Sequence, residues 1–387
     1  MPTYPLGDLK LEDFLSLYWQ KKPLFIENAL PDIQSPLSAD ELAGLSCESD
    51  IESRLIINTG NDWQLQHGPL DEDTFTHLPT SHWTLLVQAV NHYSPQAAQL
   101  LELFNFIPRW RIDDLMVSYA CKGGGVGAHY DNYDVFLVQT QGQRQWQVGG
   151  HYNDTSPLKE NLPVKIIKHF QPEYSWLLNP GDILYIPPGV GHNGIAQSDD
   201  CMTCSVGFRA PSYNDILREY TDYLGEQLNE SLRYSDADIK PQTNSGEISQ
   251  DALLKLEAVI SEQTSNKQKL TDWFGRYITT PKYESANYSD YNVSDATLSM
   301  HALQNQLAAG VTLSRELNSR FAFIKQTHQH ILFVNGERID TCPNTNAFVE
   351  QLCAEVTLSH QDFTHTDDNL TLILTLINQG ALTLTHD

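Results

Sequence analysis

The stretch GAHYDNYDVFLVQT, residues 127–140, places one histidine among acidic and amide side chains directly after a run of glycines, and ends in an apolar segment. Three readings compete for His129: part of a phosphate loop, a polar residue on a strand edge, or a metal ligand. The preceding GGGVGA can be aligned with G-x-G-x-x-A through Gly123, Gly125 and Ala128. A dinucleotide fingerprint has to open a helix, however, and here the chain runs into a strand-like segment. A glycine run before a strand more often marks a close backbone approach or a bulge. On a strand, alternate residues share a face. His129, Asp131 and Tyr133 then point one way and Tyr130, Asn132 and Asp134 the other. The H-x-D pair presents an imidazole and a carboxylate side by side, and parity chooses Asp131 over Asp134.

A third ligand is expected from a neighbouring segment. In NPGDILYIPPGVGHNG, NPGD is a turn, ILYI a strand, and PPGVG a turn that delivers His192 to a solvent-accessible mouth. Two histidines and one carboxylate on one face form the facial triad of non-haem iron(II), which leaves positions open for a co-substrate and dioxygen. H-x-D alone is common by chance; joined to PGD-x-x-x-I-P-x-x-x-x-H it is far more specific.

In QRQWQVG, Gln143, Gln145 and Gln147 alternate with Arg144, Trp146 and Val148, and the second set reads as the buried face. Burying a guanidinium is costly unless an anion pairs with it. That anion is either a structural carboxylate or a bound one gripped bidentately. Ser118, a hydroxyl within LMVSYA, reads on its own as a satisfied core serine.

Around this centre the chain divides into three parts: 1–210, 211–298 and 299–387. Short β segments crowd residues 111–210: LMVSYA, DVFLVQT, RQWQVG, VKIIKHF, YSWLLN, DILYIPP and MTCSVGF. Turn residues separate them, the pattern of a sandwich or barrel. Residues 1–110 mix helix and strand, with an amphipathic helix through Phe14, Leu15 and Tyr18 leading to PLFIENA. Ser212, with Asp215 three residues on, opens a helical region carrying Leu217, Tyr220, Leu224 and Leu228 at helical spacing. SDADIKPQTNSGE links it to SQDALLKLEAVIS and KLTDWFGRYIT, and TTPKYESANYSDYNVSD to the last part. There RFAFIKQTHQHILFVNGERID holds a hairpin turning at NGE, NTNAFVEQLCAEV reads as a helix, and LTLILTLINQGALTLT as strand, turn, strand. That order fits a winged-helix-like unit. Residues 301–387 hold four Lys or Arg against nine Asp or Glu, a net of −5, which argues against direct DNA binding.

The whole chain, 387 residues with 40% hydrophobic side chains, carries a formal charge of −25, which repels nucleic acid and anionic membranes and favours basic partners. Solubility alone would account for it equally well. No secretory signal and no membrane-spanning run is apparent, and six scattered cysteines fit reduced thiols in a cytoplasm. CMTC at 201–204 is a lone CxxC; on a strand its thiols face opposite ways.

The segments FLSLYWQKKPLFIENA, LMVSYACKGGGVGAHYDNYDVFLVQTQGQRQWQVG, NPGDILYIPPGVGHNG and CSVGFRAPS together resemble the JmjC-type ribosomal oxygenases. The likeness is to their bacterial branch, arginine hydroxylases of large-subunit ribosomal protein sixteen. It runs over nearly the whole chain, with its specific motifs in residues 110–210. The resemblance implies a mainly β jelly roll (double-stranded β-helix, cupin/JmjC type) with added helices, then a helical dimerisation region and a winged-helix-like C-terminal domain. It implies Fe(II) on His129, Asp131 and His192, with Arg144 pairing the distal carboxylate of 2-oxoglutarate and Ser118 hydrogen-bonding the same co-substrate. The reaction implied couples decarboxylation of 2-oxoglutarate by dioxygen to hydroxylation of an unactivated C–H bond. The substrate would be a basic protein of the large ribosomal subunit and the enzyme a homodimer, with Tyr220 and Leu224 prominent on the apolar stripe. An entering arginine would want a carboxylate or aromatic wall near the iron; Asp114 and Tyr133 are the candidates, against a turn aspartate and a packed tyrosine. The rivals are a histidine hydroxylase of another ribosomal protein, a non-catalytic cupin-fold binding module, and a zinc or manganese cupin isomerase.

Overall fold

A computed structural model describes residues 4–60, 62–283 and 298–385. The linker expected over 279–295 lies largely outside them. Among the described residues, 4–210 with Tyr283 form one compact unit, and 211–282 with 298–385 another.

Two antiparallel sheets build the first unit. The larger runs, in spatial order, β1 (Leu24–Ile26), β9 (Ile183–Ile186), β6 (Val135–Gln141), β11 (Cys201–Phe208), β5 (Ile112–Ala120), β4 (Trp83–Val87), β2 (Ser53–Thr59) and β3 (Asp62–His67). The smaller is β10 (Val190–Ala196), β7 (Arg144–His151) and β8 (Tyr174–Leu178). Strand β6 explains its own unbroken apolar run. Val135 and Leu137 point between the sheets onto Trp146, Val148 and Leu184. Phe136 and Val138 point outward into a second core with Phe14, Phe104 and Tyr185. A strand covered on both faces has no reason to alternate. The helix Leu11–Leu17 supplies that outer cover, its Phe14 ring lying 5.6 Å from Phe136 and 5.1 Å from Tyr185.

VKIIKHF is not a strand. Only Ile167 bridges, to Leu158, and the adjacent Ile166 and Ile167 are both buried against Ala128. The Ile167 N–H donates to the Ala128 carbonyl at 2.8 Å, so the loop braces the segment that precedes His129. Beyond the turn expected at PPGVG, the chain continues as strand β10 (Val190–Ala196), whose glycines and histidine carry no β signature.

In the second unit, Ser212 caps the helix Tyr213–Glu226 in a reciprocal box with Asp215. Tyr220 and Leu224 are buried within their own unit, with Tyr220 5.1 Å from Trp273 of the helix Lys267–Thr279. They are therefore core residues rather than an open interface. Leu217 (64% exposed), Tyr213 (86%) and one whole face of the helix Gln250–Thr264 remain uncovered. Two three-stranded sheets complete the unit. One is β16 (Thr357–Ser359), β12 (Thr312–Arg315) and β17 (Leu382–Thr385); the other is β13 (Phe321–Ile324), β14 (Ile331–Val334) and β15 (Glu337–Ile339). The turn of β14–β15 is at Asn335 and Gly336, both at positive φ. LTLILTLI, read as a strand, is instead the helix Asp367–Asn378. Thr366 caps it, Asp367 and Asp368 sit in its first turn, and Gly380 at φ +69° ends it. Leu370, Ile373 and Leu376 bury one stripe, and that packing overrides the strand preference of the Thr and Ile residues.

Candidate metal and co-substrate site

His129 does not lie on a regular strand. It forms a single bridge with His192, exchanging both backbone hydrogen bonds at 2.9 and 2.8 Å, and the chain then loops through residues 130–134 before β6 begins. Asp131 and Tyr133 therefore do not share with His129 the strand face that the period-two pattern predicts. What aims Asp131 is the loop, held where the Gly189 N–H donates to the Asp131 carbonyl at 2.7 Å. The glycine run before it is a close backbone approach. A Cβ on Gly124 would lie 2.1 Å from the Trp83 carbonyl oxygen, and one on Gly125 2.3 Å from that of Gly194. Neither obstacle is a side chain that can swing away. Gly124→Ala is expected to cost about 3 kcal/mol, the upper end for overpacking, read as a lower denaturant midpoint at unchanged slope.

Side chains of His129, Asp131 and His192 converge, each offering one ligand atom within 4.8 Å of the others; among the described residues this is the one such group. Nε2 of His192 is 3.5 Å, and Nε2 of His129 4.0 Å, from Asp131 Oδ2. Both Nδ1 atoms face backbone carbonyls, that of Gly127 at 2.9 Å and that of Val190 at 3.1 Å. A carbonyl only accepts, so Nδ1 carries the proton in each ring and Nε2 presents its lone pair. His192 is 2% exposed, not at an open mouth as expected; it follows a register shift in β10 between Val190 and His192. Burial, and then the neighbouring His129, push its pKa down to about 4, which keeps the ring neutral.

The alternation in β7 puts Arg144, Trp146 and Val148 inside. Arg144 is 3% exposed, and its Nε and Nη2 have no hydrogen-bond partner. A guanidinium so placed calls for an anion that no described residue supplies at these two nitrogens. This observation, with the mixed N/O donor set opposite, fits a metal-bound dicarboxylate. Ser118 is buried on β5, donating to the Thr203 carbonyl at a long 3.4 Å. Asp114, on the same face, accepts from Gln88 at 2.8 Å and from Tyr283 at 2.9 Å. Tyr133 is 42% exposed. Loss of water around its hydroxyl, and then the charges of Asp131 and Asp114, hold its phenol well above the ordinary value and so neutral.

A support that strand parity set aside is Asp134. Fully buried, it accepts from Tyr185 Oη at 2.6 Å, Gln20 Nε2 at 2.9 Å and Arg111 Nη2 at 3.4 Å. It pins the end of the ligand loop to YWQKKP. A carboxylate one residue before an apolar strand was the available signal.

A jelly roll with two histidines and a carboxylate at one end, and an unpaired arginine inside, defines a 2-oxoglutarate-dependent oxygenase of the JmjC class. The JmjC domain family matches residues 99–216, and the ROXA-like winged helix family matches residues 261–383. The ribosomal protein uL16 3-hydroxylase of Escherichia coli is 34% identical over 96% of this chain and 97% of its own length. The crystal structure of E. coli YcfD superposes with a TM-score of 0.88 at 32% identity, over 98% of this chain and 99% of that one. A structure of E. coli YcfD in complex with cobalt and 2-oxoglutarate gives 0.85 at 31% identity over the same shares. The chain belongs to the JmjC-domain ribosomal oxygenases, whose cofactors are Fe(II), 2-oxoglutarate and dioxygen.

Proposed function

We propose that this chain hydroxylates an arginine side chain of the large-subunit ribosomal protein uL16. In this reading His129, Asp131 and His192 hold Fe(II), and Arg144 and Ser118 hold 2-oxoglutarate. The observation that carries the co-substrate chemistry is the pair of buried Arg144 nitrogens, Nε and Nη2, without a partner inside the same jelly roll as the His–Asp–His cluster, and the likeness to the E. coli uL16 3-hydroxylase supports the substrate. When bound, Fe(II) with 2-oxoglutarate activates dioxygen: one oxygen atom enters the substrate C–H bond and the other enters succinate, with release of carbon dioxide. The protein's own groups orient and exclude. The carbonyls of Gly127 and Val190 fix the two imidazoles, and Arg144 fixes the far end of the co-substrate with its planar fork. Tyr133 faces the substrate as a neutral aromatic wall, and the buried carboxylate of Asp114, held by Gln88 and Tyr283, adds a negative charge that attracts a guanidinium. An arginine suits Asp114 better than a histidine does. The net charge of −25 favours a basic ribosomal protein.

The test is turnover with purified components. With Fe(II), 2-oxoglutarate and uL16, succinate should form in step with a one-oxygen gain on uL16. Succinate formation that uL16 does not stimulate would remove uL16 as substrate.

Residues 211–298 serve as a dimerisation region between a catalytic domain at 1–210 and a winged-helix-like domain at 299–387. The helix Gln250–Thr264 supports this: it buries no residue of its own, and Leu253, Leu254, Leu256, Val259 and Ile260 are each about half exposed. A 15-residue helix with five such side chains is expected to find a partner surface, here a second copy. A dimer by sedimentation at micromolar concentration is expected, and Leu254→Glu with Val259→Glu should give monomers. A wild-type monomer under those conditions would contradict it. The C-terminal domain does not bind DNA, a reading its net charge of −5 supports. No helix among the described residues is long and apolar enough to cross a membrane. A ribosomal substrate supports a cytoplasmic location for the enzyme.

A further inference from the structure

Besides the two nitrogens of Arg144, a third buried donor on the inner face of β7 has no hydrogen-bond partner: Trp146 Nε1. Trp146 is 5% exposed. A buried indole N–H ordinarily finds an acceptor, because leaving it without one forfeits its hydration for nothing. The residues packed around it between the sheets, Val135, Leu137, Val148 and Ile186 among them, have no acceptor in their side chains. The ring stands midway along the site. Its centre is 5.8 Å from the guanidinium carbon of Arg144 and 5.8 Å from the ring of His192. The neighbouring strand is shaped to it: a Cβ on Gly194 would come within 2.7 Å of the indole.

We propose that the Trp146 N–H donates a hydrogen bond to the distal carboxylate of 2-oxoglutarate, beside Arg144. This rests on the co-substrate site proposed above. A carboxylate has about four acceptor positions, of which an arginine fork occupies two, so a further donor is accommodated. The indole is rigid and buried, and it adds direction where the arginine adds charge. Trp146 is therefore a binding and positioning residue for the co-substrate, separate from the metal ligands.

Trp146→Phe removes the N–H and keeps most of the ring. Binding is measured by calorimetry on Co(II)-loaded protein under nitrogen, for wild type and variant. Loss of one hydrogen bond to a charged group should weaken 2-oxoglutarate about tenfold. Cobalt affinity should not change. 2-Oxobutanoate, which keeps the keto-acid end and lacks the distal carboxylate, should bind the two proteins alike. Equal weakening of both ligands would assign Trp146 a packing role and overturn the proposal, as would no weakening of either. Failure of wild type to bind 2-oxoglutarate at all would instead sink the functional reading on which this one rests. A second measurement needs no variant to fold. In the nitrogen-15 spectrum of Zn(II)-loaded wild type, one of the seven tryptophan indole N–H signals should shift on adding 2-oxoglutarate and stay in place with 2-oxobutanoate. A spectrum in which no indole signal distinguishes the two ligands would contradict the assignment.

Discussion

His192→Ala is expected to abolish hydroxylation and to strip the protein of its metal. Three side chains share the metal, and the other two, His129 and Asp131, are separated by one residue on a single loop; losing the third leaves no closed face of ligands. Because His192 is buried rather than set at an open mouth, the substitution also leaves a void beneath Trp146. A stability loss of about 2–4 kcal/mol is expected from removing a large buried side chain. Asp131→Ala separates the two effects. Its side chain is 23% exposed, so it should lose metal and activity at a smaller cost in stability. Metal content, melting temperature and turnover on the same preparations decide the matter. Near-normal hydroxylation by either variant, with metal still bound, would show that the ligand set is wrong.

Arg144→Ala tests the co-substrate rather than the metal. If the guanidinium pairs with the distal carboxylate of 2-oxoglutarate, the variant should need far more of it and keep its affinity for iron. Removing one partner of a buried, charge-assisted pair costs about 2–4 kcal/mol. At about 1.4 kcal/mol per factor of ten, that is a weakening of roughly thirtyfold to a thousandfold. Arg144→Lys should fall between, since an ammonium keeps the charge and loses the fork. The alternative was an internal salt bridge, and Nε and Nη2 meet no carboxylate among the described residues. Relieving an unpaired buried charge should leave the melting temperature of the metal-loaded, co-substrate-free protein unchanged or higher. An unstable variant with unchanged dependence on 2-oxoglutarate would remove Arg144 from the site.

Much of this centre was legible in the sequence because its signals are local. The alternation in QRQWQVG fixed which face of β7 is buried, and so turned Arg144 inward. The residues of the H-x-D pair and of PPGVGH were likewise readable, although their geometry was not. His129 stands on an isolated bridge and Asp131 on a loop, so period-two parity reached Asp131 through the wrong structure. Asp134 was set aside for the same reason, and its contacts with Gln20, Arg111 and Tyr185 span long stretches of chain that no local pattern connects. LTLILTLI failed differently. Its residue types favour strand, and only burial of Leu370, Ile373 and Leu376 against the rest of the unit makes it a helix. The stripe of Tyr220 and Leu224 was read correctly as apolar and given the wrong partner, since amphipathicity says that a face is covered and not by what.

Arginine hydroxylation of uL16 is tested most directly by the intact mass of the ribosomal proteins from cells with and without this enzyme, followed by fragmentation of any that differ. uL16 from cells holding the enzyme is expected to be heavier by one oxygen atom, with fragmentation locating that oxygen on an arginine side chain, and cells carrying Asp131→Ala are expected to lack it. An unshifted uL16 together with a one-oxygen shift on another protein would contradict this expectation, as would an oxygen on uL16 that persists when the enzyme is gone.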